Sequence, residues 1–188
     1  MDKHTQISSM SAIDRLIEMQ EFRDRMIAVW ILKDCCTGTN LKMWRTNLKD
    51  PVDLRGECMF MGSTFKFNVE IKERMKNEEL QKLYPHATLR VDKYNRMREK
   101  TEYDTNLLYM LLQNEKTCYL FNLSALNWNK VDTFNWKIKK TQMDNNSGYK
   151  EYLTYVIPYD QAFLTLDCSN YYEEYRKRYI DREDAGDC

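Results

Sequence analysis

Three residues in the stretch 52–74 have types and spacing that can do chemistry: Asp53, Glu70 and Lys72. Glu70 and Lys72 lie in Phe65–Lys72, which alternates strictly. Phe65, Phe67, Val69 and Ile71 take one face, and Lys66, Asn68, Glu70 and Lys72 the other. A period of two marks a half-buried strand. Upstream, Leu54, Cys58 and Phe60 form a matching apolar face, with Asp53, Arg55 and Glu57 opposite. Gly62-Ser63 lies between the two runs, where a tight reversal needs positive φ. The pattern predicts a β-hairpin with one greasy and one charged face. With Met61-Gly62 as the turn, Asp53 sits across from Glu70, at the ~5 Å of cross-strand neighbours. Two carboxylates that close repel unless a cation lies between them. Mg²⁺ takes such oxygen ligands and keeps several waters. Lys72, on the same face, is placed to orient a bound water and to stabilise charge developing on a phosphate.

Glu57 shares that face and is the alternative first carboxylate. Opposing it to Glu70 moves the turn to Ser63-Thr64, where a β-branched threonine fits positive φ poorly. Hairpin geometry therefore favours Asp53. Glu-x-Lys alone has little specificity. Its plain reading is a solvated strand face with an ordinary charge pair.

The elements that must position these residues follow from the rest of the chain. It has 188 residues, long enough for one domain with a real core. Lys plus Arg and Asp plus Glu are both 29, which argues against a histone-like basic binder. Six cysteines form no Cys-x-x-Cys, and His4 and His86 are the only histidines, so a zinc site is not expected. No apolar run reaches the ~18 residues of a membrane span and no signal-like segment opens the chain. The expectation is a cytoplasmic protein with no membrane partner.

Residues 1–10 are polar and read as a flexible N-terminus. A helix is predicted over 11–33, with Ile13, Leu16, Ile17, Met26, Ile27, Trp30 and Ile31 on one face. Glu21 falls near the edge of that face, whereas Glu18 points away from it. Leu41–Asn47 reads as a short strand. Glu73–Leu83 reads as charged and helix-prone, and Ala87–Tyr94 as a strand running into a charged helix. Leu107–Leu112 and Thr117–Leu123 read as apolar strands joined at Gln113–Lys116. Residues 124–150 look irregular and Tyr152–Ile157 strand-like. Asp160–Leu166 reads as a short helix, and 167–188 as a charged, partly helical tail.

An Asp…Glu-x-Lys set on an amphipathic hairpin, Asp53, Glu70 and Lys72, resembles the active site of the PD-(D/E)XK nuclease superfamily. The order helix, strand, hairpin, helix, strand over residues 11–166 is similar to the α-β-β-β-α-β core of those enzymes. Leu89-Arg90-Val91, Lys93 and the Leu107–Leu123 hairpin resemble pieces of small phage-encoded members. Residue 52, before Asp53, is valine rather than proline. Gln81-Lys82-Leu83-Tyr84 departs from the Gln-x-x-x-Tyr of many exonuclease members.

The resemblance implies an α/β fold, a restriction-endonuclease-like mixed sheet flanked by helices. It implies a metal-dependent deoxyribonuclease of phage or mobile-element origin, acting in the bacterial host cytoplasm. Asp53 and Glu70 would hold Mg²⁺ or Mn²⁺, with Glu21 from the first helix completing the shell and Glu18 the alternative. Lys72 would position water. Arg90, Lys93, Arg96 and Arg98 would meet backbone phosphates. DNA is the implied partner, RNA stays open, and a homodimer is an assembly the reading allows. The competing readings are a non-catalytic nuclease-fold binding protein, directed at nucleic acid or a host-defence protein, and a structural phage protein.

Overall fold

The computed structural model describes residues 12–46, 50–74, 85–139 and 149–181. The N-terminal stripe forms α1, Ala12–Cys35. Three antiparallel strands follow: β1 (Thr39–Arg45), β2 (Leu54–Phe60) and β3 (Ser63–Arg74). Then come β4 (His86–Arg90), α2 (Val91–Glu99), β5 (Thr105–Gln113) and β6 (Thr117–Asn122). The chain ends through β7 (Asp132–Lys139), β8 (Tyr149–Pro158), β9 (Leu164–Asp167) and α3 (Ser169–Tyr179). One sheet has the order β1-β2-β3-β5-β6-β9, and a smaller one β4-β8-β7. β3 and β5 are parallel and the other pairs antiparallel, so the large sheet is mixed.

The large sheet is buried on both faces for a reason visible in β5. Its core, Leu107–Leu112, is apolar without alternation, as a central strand covered on both sides requires. On one face Leu108, Met110 and Leu112 meet Ile27, Ala28 and Ile31 of α1 and Tyr172 of α3. On the other, Leu107, Tyr109 and Leu111 meet Ala87, Leu89 and Ile157 of the small sheet and Tyr94 and Met97 of α2. Hydrophobic burial on both sides thus fixes the middle of the sheet.

The central hairpin has the expected register. Leu54 pairs with Val69 and Phe60 with Ser63. Met61 (φ 48°) and Gly62 (φ 78°) form the turn, with two positive φ values as in a type I′ reversal. The Asn114-Glu115 turn between β5 and β6 is of the same kind, with φ 53° and 54°.

Several expectations differ. The polar face of Phe65–Lys72 is not solvated along its length: Asn68 and Glu70 are buried, because the α2 side covers them. Residues 124–150 are not irregular throughout. Asp132–Lys139 alternates and pairs with β8, its signal hidden by polar flanks. Asp160–Leu166 is not a helix. A single 3₁₀ turn at Tyr159–Gln161 leads into β9, where hydrogen bonds to the edge of β6 outweigh local helix preference. Within the 167–188 segment, α3 is part of the fold, since Tyr172 and Tyr175 enter the core beside α1. The residues 1–10, the greater part of Glu73–Leu83, the end of the tail, and the side chains of Ile13, Leu16, Ile17 and Phe60 lie outside the described residues. Among the described residues, no helix is long and apolar enough to cross a membrane.

Candidate active site

The register places Asp53, one residue before β2, across from Glu70. The Asp53 N–H donates to the Val69 carbonyl at 2.9 Å. Its side chain is fixed twice: Oδ2 accepts from the Ile71 N–H at 2.8 Å, and Oδ1 from Arg25 of α1 at 3.1 Å. Glu70 is buried beside it. Lys93, in the first turn of α2, places Nζ 3.0 Å from Glu70 Oε2. That contact is an ion pair without hydrogen-bond alignment, so the buried Oε2 has no hydrogen-bond partner. Burial first, and then the Asp53 charge, push the Glu70 carboxyl up to about 8, against the opposing pull of Lys93.

These residues line one cleft of about 340 Å³, with Glu21, Asp24 and Arg25 from α1, Asp50, Lys72 and Glu73. Lys72 is exposed, on the same side of β3 as Glu70. Glu21 faces the cleft and lies 4.0 Å from Arg25, whereas Glu18 is exposed and does not line it. Glu57 is elsewhere: it opposes Lys66 and pairs with Lys42 at 3.0 Å. The structure thus brings Asp53, Glu70, Lys72 and Glu21 together and leaves Glu57 outside.

Three acids of the cleft, Asp24, Asp50 and Glu73, are not among the residues singled out from the sequence; Asp50 is paired with Arg55 at 2.9 Å. Asp24 and Glu73 share Arg23, which lies 3.2 Å from Asp24 and 2.6 Å from Glu73. Burial, and then Glu73, raise the Asp24 carboxyl to about 7. Asp24 follows Glu21 by three residues, one helical turn, and that spacing was the available signal. Arg25 follows Glu21 by four.

A second groove of about 670 Å³ opens from the same acids towards the small sheet. Its walls include Arg74, Arg90, Lys93 and Arg96, with Trp136 and Tyr152 from β7 and β8. Of the four expected phosphate contacts, Arg90, Lys93 and Arg96 face this groove. Arg98 does not line it.

Among the described residues, no three His, Cys, Asp or Glu side chains form a ready metal cage. The donor set nevertheless fits a hard cation that keeps most of its waters, for which one or two carboxylates suffice. The fit rests on Glu70: its buried carboxyl lies beside a second carboxylate, with the Lys93 ammonium as the one cation paired to it among the described residues, and a divalent ion would relieve that acid–acid contact.

No family model, curated protein or solved structure matches this chain.

Proposed function

We propose that this protein is a metal-dependent deoxyribonuclease with a restriction-endonuclease-like fold. The observation that carries the reading is the buried Glu70 carboxyl, held across the hairpin from Asp53 with Lys72 two residues on. A structural carboxylate is normally satisfied by hydrogen bonds or paired at the surface. Here an acid is buried across from a second acid at the mouth of a cationic groove, and its pKa is raised to about 8 despite the Lys93 ammonium beside it, as expected of a functional group.

In this reading Asp53 and Glu70 would hold Mg²⁺ or Mn²⁺, and Glu21 is the third carboxylate that could join them. The ion supplies activation of water and neutralisation of charge at phosphorus. The Ile71 N–H and Arg25 fix the orientation of Asp53 before substrate arrives. Lys72 holds the attacking water and faces the oxygen on which charge grows. The water oxygen bonds to phosphorus and gives up a proton to solvent, as the ester P–O bond breaks and the leaving oxygen takes a proton to become a hydroxyl. Arg90, Lys93 and Arg96 bind flanking phosphates.

One observation favours a second reading. Arg25 on Asp53 and Lys93 by Glu70 already place cations beside both acids, as in a nuclease fold that binds without cleaving. Incubation of plasmid DNA with pure protein in Mg²⁺, Mn²⁺ or EDTA separates the two. Nicking or linearisation with metal and none with EDTA supports the nuclease. Plasmid left intact under all three conditions, but shifted on a gel by bound protein, supports the binder.

A further inference from the structure

The acid cleft does not account for the far wall of the larger groove. On that wall β7 and β8 pair Trp136 with Tyr152 and Phe134 with Thr154, so these four side chains share a face. Trp136 and Phe134 are 46% and 56% exposed. They are the large apolar groups that folding normally hides, and their rings meet edge to face, centroids 5.6 Å apart at 74°. Next on this face is Arg90, opposite Thr154 across the β4–β8 pair. Asp92 grips its guanidinium through both oxygens, and the guanidinium lies over the Tyr152 ring at 3.9 Å from the centroid. The floor is tied to the large sheet, since Tyr109 Oη and Arg74 both donate to the Thr88 carbonyl, at 3.0 and 2.9 Å.

We propose that this face is a stacking platform for the bases of single-stranded DNA, whose backbone follows Arg90, Lys93 and Arg96 into the acid cleft. The proposal rests on the nuclease reading for the direction of the strand. Base stacking on it does not require chemistry. Cations along one side and flat rings along the other match a strand with a charged edge and free π-faces. A duplex keeps its bases stacked on each other and offers the rings nothing. Arg90 over Tyr152 extends the same surface, because a guanidinium also stacks on bases.

The test uses the full chain in EDTA, so binding is read without cleavage. Fluorescence anisotropy compares a labelled oligothymidylate of about 20 nucleotides, a DNA duplex of equal length and an oligouridylate. The single DNA strand is expected to bind about tenfold tighter than the duplex. Trp136→Ala is expected to weaken single-strand binding about tenfold and duplex binding little, a loss typical of one stacked base. Trp136→Phe should restore most of that loss, and matching thermal melts show that the variants are folded. Equal binding of strand and duplex, indifference to Trp136→Ala, tighter binding of the oligouridylate, or no binding of any nucleic acid each overturns the proposal. Single-strand binding without metal-dependent cleavage leaves the platform standing and removes the nuclease. Cleavage without single-strand preference does the reverse.

Discussion

The two ends of the polar face of the β2–β3 hairpin are built from the same residue types and end in different states. Near the turn, Glu57 opposes Lys66. Glu57 is paired with Lys42, and Lys66 reaches Asp104 at 2.8 Å and Glu102 at 3.3 Å. Every charge there has an opposite partner near solvent. Those partners hold the Lys66 ammonium above and the Asp104 carboxyl below their ordinary ranges. At the far end Asp53 opposes Glu70, acid against acid, with Arg25 of α1 on Asp53 and Lys93 of α2 on Glu70. The Glu70 carboxyl is pushed up rather than down. Alternation sets the face a residue occupies. What packs over that face decides whether a charge is solvated or stored.

The largest effect should come from the stored end. Lys72→Ala should reduce metal-dependent cleavage by about a hundredfold or more, as for loss of one charge-stabilising group. Its melting temperature should stay within a degree or two of wild type, because Lys72 is exposed. Initial rates of plasmid nicking at matched Mn²⁺, read beside a thermal melt, check this. Wild-type rates in the variant would take Lys72 out of the chemistry.

The next effect is on stability and has a definite sign. Glu70 has a folded pKa of about 8, above its ordinary value. The folded chain keeps the proton where the unfolded chain has released it. The contribution of Glu70 to stability is thus fully present below pH ~4.5 and is lost as pH rises to about 8. Glu70→Gln removes that loss. Urea unfolding should find the variant as stable as wild type at pH 4.5 and more stable at pH 9, by on the order of 1–3 kcal/mol. A variant less stable at both pH values would mean that Glu70 serves the fold. Asp24, with its carboxyl raised to about 7, should give Asp24→Asn the same sign with a smaller size, since Arg23 is left with Glu73.

At the solvated end the changes should be small. Lys66→Ala and Glu57→Gln should each leave the melting temperature within a degree or two of wild type and cleavage unchanged, as for surface ion pairs. A loss of cleavage in either variant would erase the distinction between the two ends.

Much of this was legible in the sequence because it depends on local rules. The alternation of Phe65–Lys72 located the hairpin, and the positive φ available at Gly62 set its register, which chose Asp53 over Glu57. The position of Glu21 at the edge of an apolar stripe put it by the cleft. What was not legible depends on contacts distant in sequence. The burial of Glu70 depends on its place beside β5 in the large sheet and on Lys93 of α2. The meeting of Asp24 and Glu73 at Arg23 needs α1 laid along β3. The Trp136 face needs β7, whose strand signal is short and polar, and β9 is a strand only because β6 has a free edge.

The Asp53 end of the hairpin, and not the Glu57 end, is expected to take a divalent cation. Calorimetric titration of Mn²⁺ into wild type, Asp53→Asn and Glu57→Gln at pH 8 measures this. The amides keep shape and remove charge. Wild type and Glu57→Gln should bind one Mn²⁺ with equal affinity, and Asp53→Asn should bind at least about tenfold more weakly, as expected for a lost carboxylate ligand. Equal affinity in all three proteins, or weakening by Glu57→Gln instead, would contradict it.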